Sequence, residues 1–295
     1  LVPNHVIPIS VVIIARDAAE TIERVIRPLS GQVAEVLLVV DDATTDRTAE
    51  LGRRWGARVL VEPWKGFGAM RNWAQEQARM DWVMMLDADE VPDEALVRAL
   101  HQQQWDDPRQ VFYLNRLNYY VGAPLRCCGL FPEYRPRIYH RRTGARWTLH
   151  HVHEQLAIPG GTKKIRLPGL LHHYFVRSVE EHVGKALRYG RLRARDWQAR
   201  GRGFRPWAAV LHSMWKFGRL YFFRGGWRAG WRGLAYCSIM ALDRLLRHIF
   251  LGALRDAQGA YPQENTPPAD RHKGVDGTGR DREGKGPTAP LTAKD

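Results

Sequence analysis

Two aspartates one residue apart, Asp87 and Asp89, follow the apolar run Trp82 to Leu86 and precede a helix-start signal, Pro92-Asp93-Glu94. In an extended chain residues i and i+2 point to the same side, so both carboxylates can serve one divalent cation where the strand loosens. Mg²⁺ or Mn²⁺ takes one or two protein carboxylates and fills the rest of its shell from phosphates and water. The competing reading is a solvated strand-to-helix turn whose acids cap the next helix. A second strand-like run, Glu35 to Val40, ends in Asp41 and Asp42. Four carboxylates at two strand ends repel a bare anion, so the set favours a phosphate ligand that brings a metal.

A further carboxylate, Glu154, closes the sequence H-H-V-H-E at 150–154. It is a candidate base, placed to take a proton. The histidines His151 and His153, with His172 and His173, also admit a zinc reading. No cysteine assists them and no open three-ligand spacing emerges, so one histidine is read as structural and Glu154 as the working group.

The elements that must position these groups alternate. Strands at 7–15, 35–40, 57–62 and 82–86 are separated by helical patterns at 18–29, from the segment T-T-D-R-T-A-E-L (44–51) to about 55, and at 66–78. This rhythm predicts an α/β fold with a doubly wound, mostly parallel sheet, which binds ligands at the carboxyl ends of its strands. Neither G-x-G-x-x-G after the first strand nor G-x-x-x-x-G-K-[ST] occurs, which disfavours a hydride-transfer enzyme and a P-loop NTPase. Residues 111–176 lose helical periodicity. Short β-prone pieces at 111–117, 137–140 and 164–167 predict an acceptor half built of antiparallel strands and loops.

The chain has 295 residues, 44% of them hydrophobic, and carries a net charge of +14. The charge is concentrated, because residues 177–256 hold 17 Lys and Arg against 5 Asp and Glu. The three cysteines, Cys127, Cys128 and Cys237, form no disulfide framework, C-x-x-C or zinc spacing, and a reducing, cytosolic setting follows. No basic region leading into an uninterrupted apolar core marks a secretory signal near the start. The basic block reads as helical, and Arg224, Arg228 and Arg232 recur every four residues beside Trp227 and Trp231. No apolar run reaches bilayer length. An amphipathic helix in an anionic membrane interface fits this pattern, as do helices packed on the catalytic domain. No motif supports nucleic-acid binding. The expected organisation is a catalytic domain over 1–176 (nucleotide-binding half 1–100, acceptor half 101–176), a basic amphipathic region over 177–258 and a disordered tail over 259–295.

The ordered set P-I-S-V-V-I-I, V-V-D-D-A-T-T-D-R-T, G-F-G-A-M-R-N, D-W-V-M-M-L-D-A-D-E, P-E-Y-R-P-R-I-Y, V-H-E, L-L-H-H-Y and S-V-E-E-H resembles the family 2 glycosyltransferases. Within them it looks like the lipopolysaccharide core glucosyltransferase group of WaaE-like enzymes, over residues 7–250. The resemblance implies a GT-A fold, a nucleotide-diphosphate sugar donor such as a UDP-sugar, Mg²⁺ or Mn²⁺, and inversion at the anomeric carbon. Asp41 matches the position that reads the nucleobase, and Asp87 and Asp89 match the D-x-D that holds the ribose-diphosphate and its metal. Lys65, Arg71 and Asn72 fall in the segment near the donor, and Glu154 of V-H-E is the candidate base. Asp42-Ala43-Thr44 stands where Ser-Gly-Ser is common, and Asp17 where Asn is. The implied enzyme is cytoplasmic, lies on the inner face of the cytoplasmic membrane, and extends a lipid-linked glycan. Rival readings are a family 2 transferase acting on polyisoprenyl phosphate or a surface polysaccharide, and a non-catalytic membrane or nucleic-acid binder on a degenerate transferase fold.

Overall fold

The first strand, β1 (Ile7–Ala15), divides its side chains between two cores. Val11 and Ile13 pack with Ile22, Val25, Ile26 and Leu29 on one face, while Val12 and Ile14 pack with Met70 and Ala74 on the other. A strand apolar on both faces belongs in the middle of a covered sheet. In the computed structural model, which describes residues 5–149 and 155–260, with side chains to residue 256, β1 is central. It is followed by α1 (Ile22–Ile26), β2 (Val33–Asp41), α2 (Thr48–Arg54), β3 (Arg58–Glu62), α3 (Phe67–Glu76) and β4 (Trp82–Asp87). β5 (Glu90–Pro92), α4 (Glu94–His101), β6 (Gln110–Tyr120), β7 (Ala123–Pro124) and β8 (Tyr134–His140) come next. After them come β9 (Arg146–Trp147), β10 (Leu156–Ala157) and β11 (Lys163–Val176).

The main sheet has the order β3-β2-β1-β4-β8-β6-β11-β5. β1 to β4 pair in parallel, as expected. β8 is antiparallel to both β4 and β6, and β6 is parallel to β11. The carboxyl ends of β1, β2, β4, β6 and β11 therefore share one edge of the sheet. Residues 111–176 keep the expected antiparallel pairing among β6, β7 and β8 and depart from it where β11 runs parallel to β6. The piece at 164–167 opens a 14-residue strand that Pro168 and Gly169 disguise in the sequence. The register shifts between Arg166 and Leu170, and Gly169, at φ +90°, lets the backbone of α4 come close at Leu96. The first helix is also shorter than the 18–29 pattern, although Ile22, Val25, Ile26 and Leu29 are all buried.

At the opposite, amino edge, a buried polar clamp joins β1 to β4. Ser10 Oγ donates to Glu35, Arg58 Nε donates to Glu35 Oε1 at 2.8 Å, and the backbone N–H of Arg79 donates to Glu35 Oε2 at 2.7 Å. The Met80 N–H closes it on Ser10 Oγ at 2.9 Å.

The basic region forms α5 (Val179–Ala199), α6 (Pro206–Gly218), a π turn at Arg219–Phe223, a 3₁₀ turn at Gly226–Ala229 and α7 (Gly230–Ala260). α5 is capped by Ser178 and pairs with α7 through Arg193 and Asp243. A third apolar cluster, including Tyr120, Cys128, Val176, Leu220, Tyr236 and Cys237, packs these helices on the ends of β6 and β11. Arg224, Arg228 and Arg232 do not share one helix. Gly225 (φ +69°) and Gly230 (φ +56°) take left-handed backbone that ends each turn, so the three fall in a turn, a 3₁₀ turn and the start of α7. Among the described residues no helix is long and apolar enough to cross a membrane. The tail expected over 259–295 lies outside the described residues from 261 onward.

Candidate active site

β4 delivers Asp87 to the carboxyl edge, where arginines from two other elements meet it. Arg71 Nη2 of α3 donates to Asp87 Oδ1 at 2.6 Å, and Arg137 Nη2 of β8 donates to Asp87 Oδ2 at 2.8 Å. Burial opposes ionisation, but the two guanidiniums overcome it and hold the Asp87 carboxyl far below the usual carboxylate range. The Arg71 guanidinium lies 4.6 Å over the Trp147 ring, which fixes its plane. The same Arg137 nitrogen donates to the fully buried Glu90, which also accepts from Arg116 Nη1 at 3.3 Å. Arg116 continues the chain to Glu133, with bonds of 2.9 and 3.0 Å. Alternating signs along Asp87, Arg137, Glu90, Arg116 and Glu133 let buried charges persist, since each has an opposite partner.

Among the described residues no arginine pairs with Asp89. Burial, together with the negative charges of Asp87 and Glu90, pushes its carboxyl up to about 7. Its Oδ2 lies 3.6 Å from Nε2 of His173 on β11. Burial and the nearby Arg116 push His173 down to about 3, so the ring is neutral. His173 Nδ1 sits 2.7 Å from Asn118 Oδ1, an acceptor that makes Nδ1 the protonated nitrogen and leaves the Nε2 lone pair facing Asp89. A carboxylate short of positive charge beside an imidazole lone pair fits a divalent cation that takes its remaining ligands from phosphate and water. Asp87, with both oxygens on arginines, is less available to it. Among the described residues no group of three or more His, Cys, Asp or Glu is arranged to hold a metal ion.

Asp87, Asp89, His173 and Arg71 line a cavity of ≈ 610 Å³ with Arg16, Asp17, Trp64, Phe67, Tyr174 and Arg177. The loops after β1 and β2 are tied together beside it. Asp17 Oδ1 accepts from the Thr45 N–H at 2.9 Å, and Asp46 Oδ2 accepts from the Ala19 N–H at 2.8 Å. Asp41 is buried at the end of β2 and accepts from Arg16 Nη1 at 3.3 Å, while Asp42 is exposed. Lys65 pairs with Glu62 and lies 5.9 Å from the centre of the Trp73 ring. Asn72 makes two 2.8 Å bonds to the backbone of Trp147, docking β9 on α3.

Glu154 lies outside the described residues, as do His151 and His153. The chain on either side is fixed. The Thr148 N–H donates to the Gln155 carbonyl at 2.9 Å, and the Gln155 N–H donates to Thr148 Oγ1 at 3.0 Å. Gly68 of α3 approaches so closely that a Cβ there would stand 2.1 Å from the Thr148 carbonyl oxygen.

Sequence reasoning placed Asp87, Asp89 and Arg71 at one cavity but gave no role to Arg137, Arg116, Glu90 or Glu133 as a network. Arg137 sits in P-E-Y-R-P-R-I-Y, a motif already visible, and a buried strand carrying arginine is itself a signal for a carboxylate partner. His173 was visible only as a member of the histidine cluster.

Residues 10–155 match the family model described as Glycosyl transferase family 2. The chain belongs to the family 2 glycosyltransferases and is a glycosyltransferase on an α/β, GT-A-type sheet. It is 28% identical over 264 residues to Uncharacterized glycosyltransferase RP128 of Rickettsia prowazekii, covering 84% of this chain and 87% of that protein. It is 28% identical over 233 residues to the Lipopolysaccharide core biosynthesis glycosyltransferase LpsC of Rhizobium meliloti, covering 77% of this chain and 85% of that protein. It also aligns with the crystal structure of S. aureus TarS 1-349 at a TM-score of 0.36 and 13% identity, covering 85% of this chain and 92% of that one.

Proposed function

We propose that the protein transfers a hexose, with inversion, from a nucleotide-diphosphate donor such as a UDP-sugar to a lipid-linked glycan of the lipopolysaccharide core. The observation that carries the donor chemistry is the pairing of Asp89 with His173 on the wall of the carboxyl-edge cavity, with Arg71 beside it. The acceptor class rests on the likeness to LpsC.

Asp89 and His173 are the proposed ligands of a bound Mg²⁺ or Mn²⁺, which supplies positive charge against the departing diphosphate. Arg71 lines the cavity as a fixed cation, and Arg137 behind it keeps Asp87 ionised and in place. Asp41 and Arg16, with Asp42 nearby, form the proposed nucleobase end. Lys65 and Asn72 act there through the frame that holds α3. Glu154 is the proposed base, taking the acceptor hydroxyl proton as that oxygen attacks the anomeric carbon. A single carboxylate suffices for inversion, because the nucleophile is the acceptor itself. The enzyme is proposed to work in the cytoplasm on the inner face of the cytoplasmic membrane, with the basic C-terminal region turned to anionic lipid.

A panel of nucleotide sugars, each with Mg²⁺, Mn²⁺ or chelator, tests the reading by donor hydrolysis and by protection against thermal unfolding. One donor should be hydrolysed only with metal present, and Glu154→Gln should lower turnover far more than donor protection. Protection by no nucleotide sugar would overturn it.

A further inference from the structure

A second cavity, also ≈ 610 Å³, opens between the loop after β7 and the turns at 222–229. Arg126, Arg224 and Arg228 all line it. Around the first site every buried arginine answers a carboxylate, yet among the described residues none of these three forms an ion pair. Three guanidiniums sharing one concavity repel one another, and an anion relieves that repulsion.

The site is built rather than incidental. The Cys128 N–H donates to the Arg224 carbonyl at 2.8 Å, fastening the loop to the turn. Cys128 is buried with Cys237 of α7 and Tyr120 of β6, so the loop has a fixed floor. The guanidinium of Arg126 lies 4.8 Å over Phe131 and that of Arg228 lies 5.2 Å over Trp227. Stacking uses the face of the guanidinium and leaves its in-plane N–H donors for an anion. The Arg224 stem passes Gly129 and the Arg228 stem passes Gly225, and both glycines hold positive φ in the turns that frame the cavity. The third arginine expected in this set, Arg232, instead donates from Nε to the Val121 carbonyl at 3.1 Å.

The rim is what selects the kind of anion. Phe222, Phe223 and Trp227 border the cavity and are 64%, 76% and 54% exposed. The apolar surface runs on along α6, where Trp207, Met214 and Trp215 are 82%, 67% and 63% exposed. Aromatic side chains beside arginines, with apolar surface continuing outward, match the boundary between lipid tails and headgroups. A soluble phosphate would need the arginines but not this rim, and a nucleic-acid strand would need its aromatics set along a continuous basic groove, whereas the surface leading away from these arginines is apolar.

We propose that Arg126, Arg224 and Arg228 form a phosphate-binding cavity that captures the phosphate headgroup of a membrane lipid while Phe222, Phe223 and Trp227 enter the bilayer surface. This rests on the surface-associated reading above and gives it a definite site. Both cavities lie at the carboxyl edge of the sheet. Tyr174, which lines the first, stacks at 4.6 Å on Tyr119, near the end of the strand that leads into the second.

The test uses the full chain in flotation with phosphatidylcholine vesicles, with and without a minor fraction of phosphatidic acid. Wild type should float only with phosphatidic acid, and an Arg126→Gln/Arg224→Gln/Arg228→Gln variant should bind roughly a hundredfold more weakly. Phe222→Ser/Phe223→Ser, which leaves every arginine in place, should also lose vesicles. A control changing three arginines of the same basic block outside the cavity, Arg188, Arg202 and Arg255, to Gln should lose much less. Equal losses in cavity and control variants would overturn the site, as would undiminished binding by the Phe222/Phe223 variant. Thermal protection by inorganic phosphate without vesicle binding would assign the cavity to a soluble phosphate, and cavity-dependent binding of single-stranded RNA would assign it to nucleic acid; either result overturns the lipid proposal. Donor hydrolysis measured in parallel without vesicles separates the readings. Hydrolysis without flotation removes only this inference, whereas flotation without hydrolysis removes the donor chemistry.

Discussion

Oδ2 of Asp89 and Nε2 of His173 face each other at 3.6 Å across the wall of the carboxyl-edge cavity, although 84 positions of sequence separate them. The parallel pairing of β6 with β11, and the antiparallel pairing of His173 with Glu90, bring them together. Removing either should uncouple metal from turnover. Asp89→Ala is expected to lower metal-dependent turnover by roughly 10²-fold or more while leaving the melting transition in place. His173→Ala is expected to weaken the apparent metal affinity by about 10–100-fold, read as a shifted Mn²⁺ titration. Activity indifferent to both changes would remove the cation from Asp89.

Arg137 answers two carboxylates at once, so its loss strands both. Arg137→Met leaves Asp87 and Glu90 buried without that partner and should cost about 3–5 kcal/mol in a urea titration. A cost below about 1 kcal/mol would show that Arg71 and Arg116 carry the network alone.

Acid should destabilise the protein through His182. Burial, aided by Lys185, pushes this side chain down to about 4, where it is bonded to the Tyr120 hydroxyl at 3.2 Å. The folded value lies below the unfolded one, so the unfolded chain takes up a proton that the native state refuses. Stability is therefore complete above about pH 6.5, declines as pH falls towards 4, and loses up to roughly 3 kcal/mol from this group. His182→Phe should flatten that part of the pH profile; a profile as steep as wild type would assign the loss to other groups.

Gly68→Ala tests the approach of α3 to the segment before residue 150. Alanine favours a helix by about 1 kcal/mol over glycine, yet here its Cβ would meet the Thr148 carbonyl oxygen at 2.1 Å. Turnover should fall about tenfold or more as that backbone is displaced. A more stable variant with full activity would show the contact to be dispensable.

The front half was legible because one physical rule governs it. β1 as read spans the observed Ile7–Ala15, and the apolar runs at 35–40 and 82–86 end where aspartates reach the edge. Burial on both faces writes an uninterrupted apolar run that needs no partner to be recognised. The second half resisted for the opposite reason. β11 carries Pro168 and Gly169, alternates weakly, and owes its length to pairing with β6 more than fifty positions earlier in the chain. The ion network has the same character, because Arg71, Glu90, Arg116, Glu133 and Arg137 come from five different elements or loops. Arg224, Arg228 and Arg232 show the limit of counting by fours. Their spacing suits a helix, but two left-handed glycines break it and send Arg232 to a different duty.

The clamp of Ser10, Glu35 and Arg58 at the amino edge has a bearing on how such an enzyme can be altered. A one-residue slip of a strand would turn every side chain to the wrong face, and the clamp resists that slip at the end of the sheet remote from the chemistry. The loop after β2 can then vary without loosening that register, whereas the segment after β4 is tied into the frame through Glu90 and Arg137. The scaffold is suited to exchange of that one loop: residues after β2 can change while the strands keep their register.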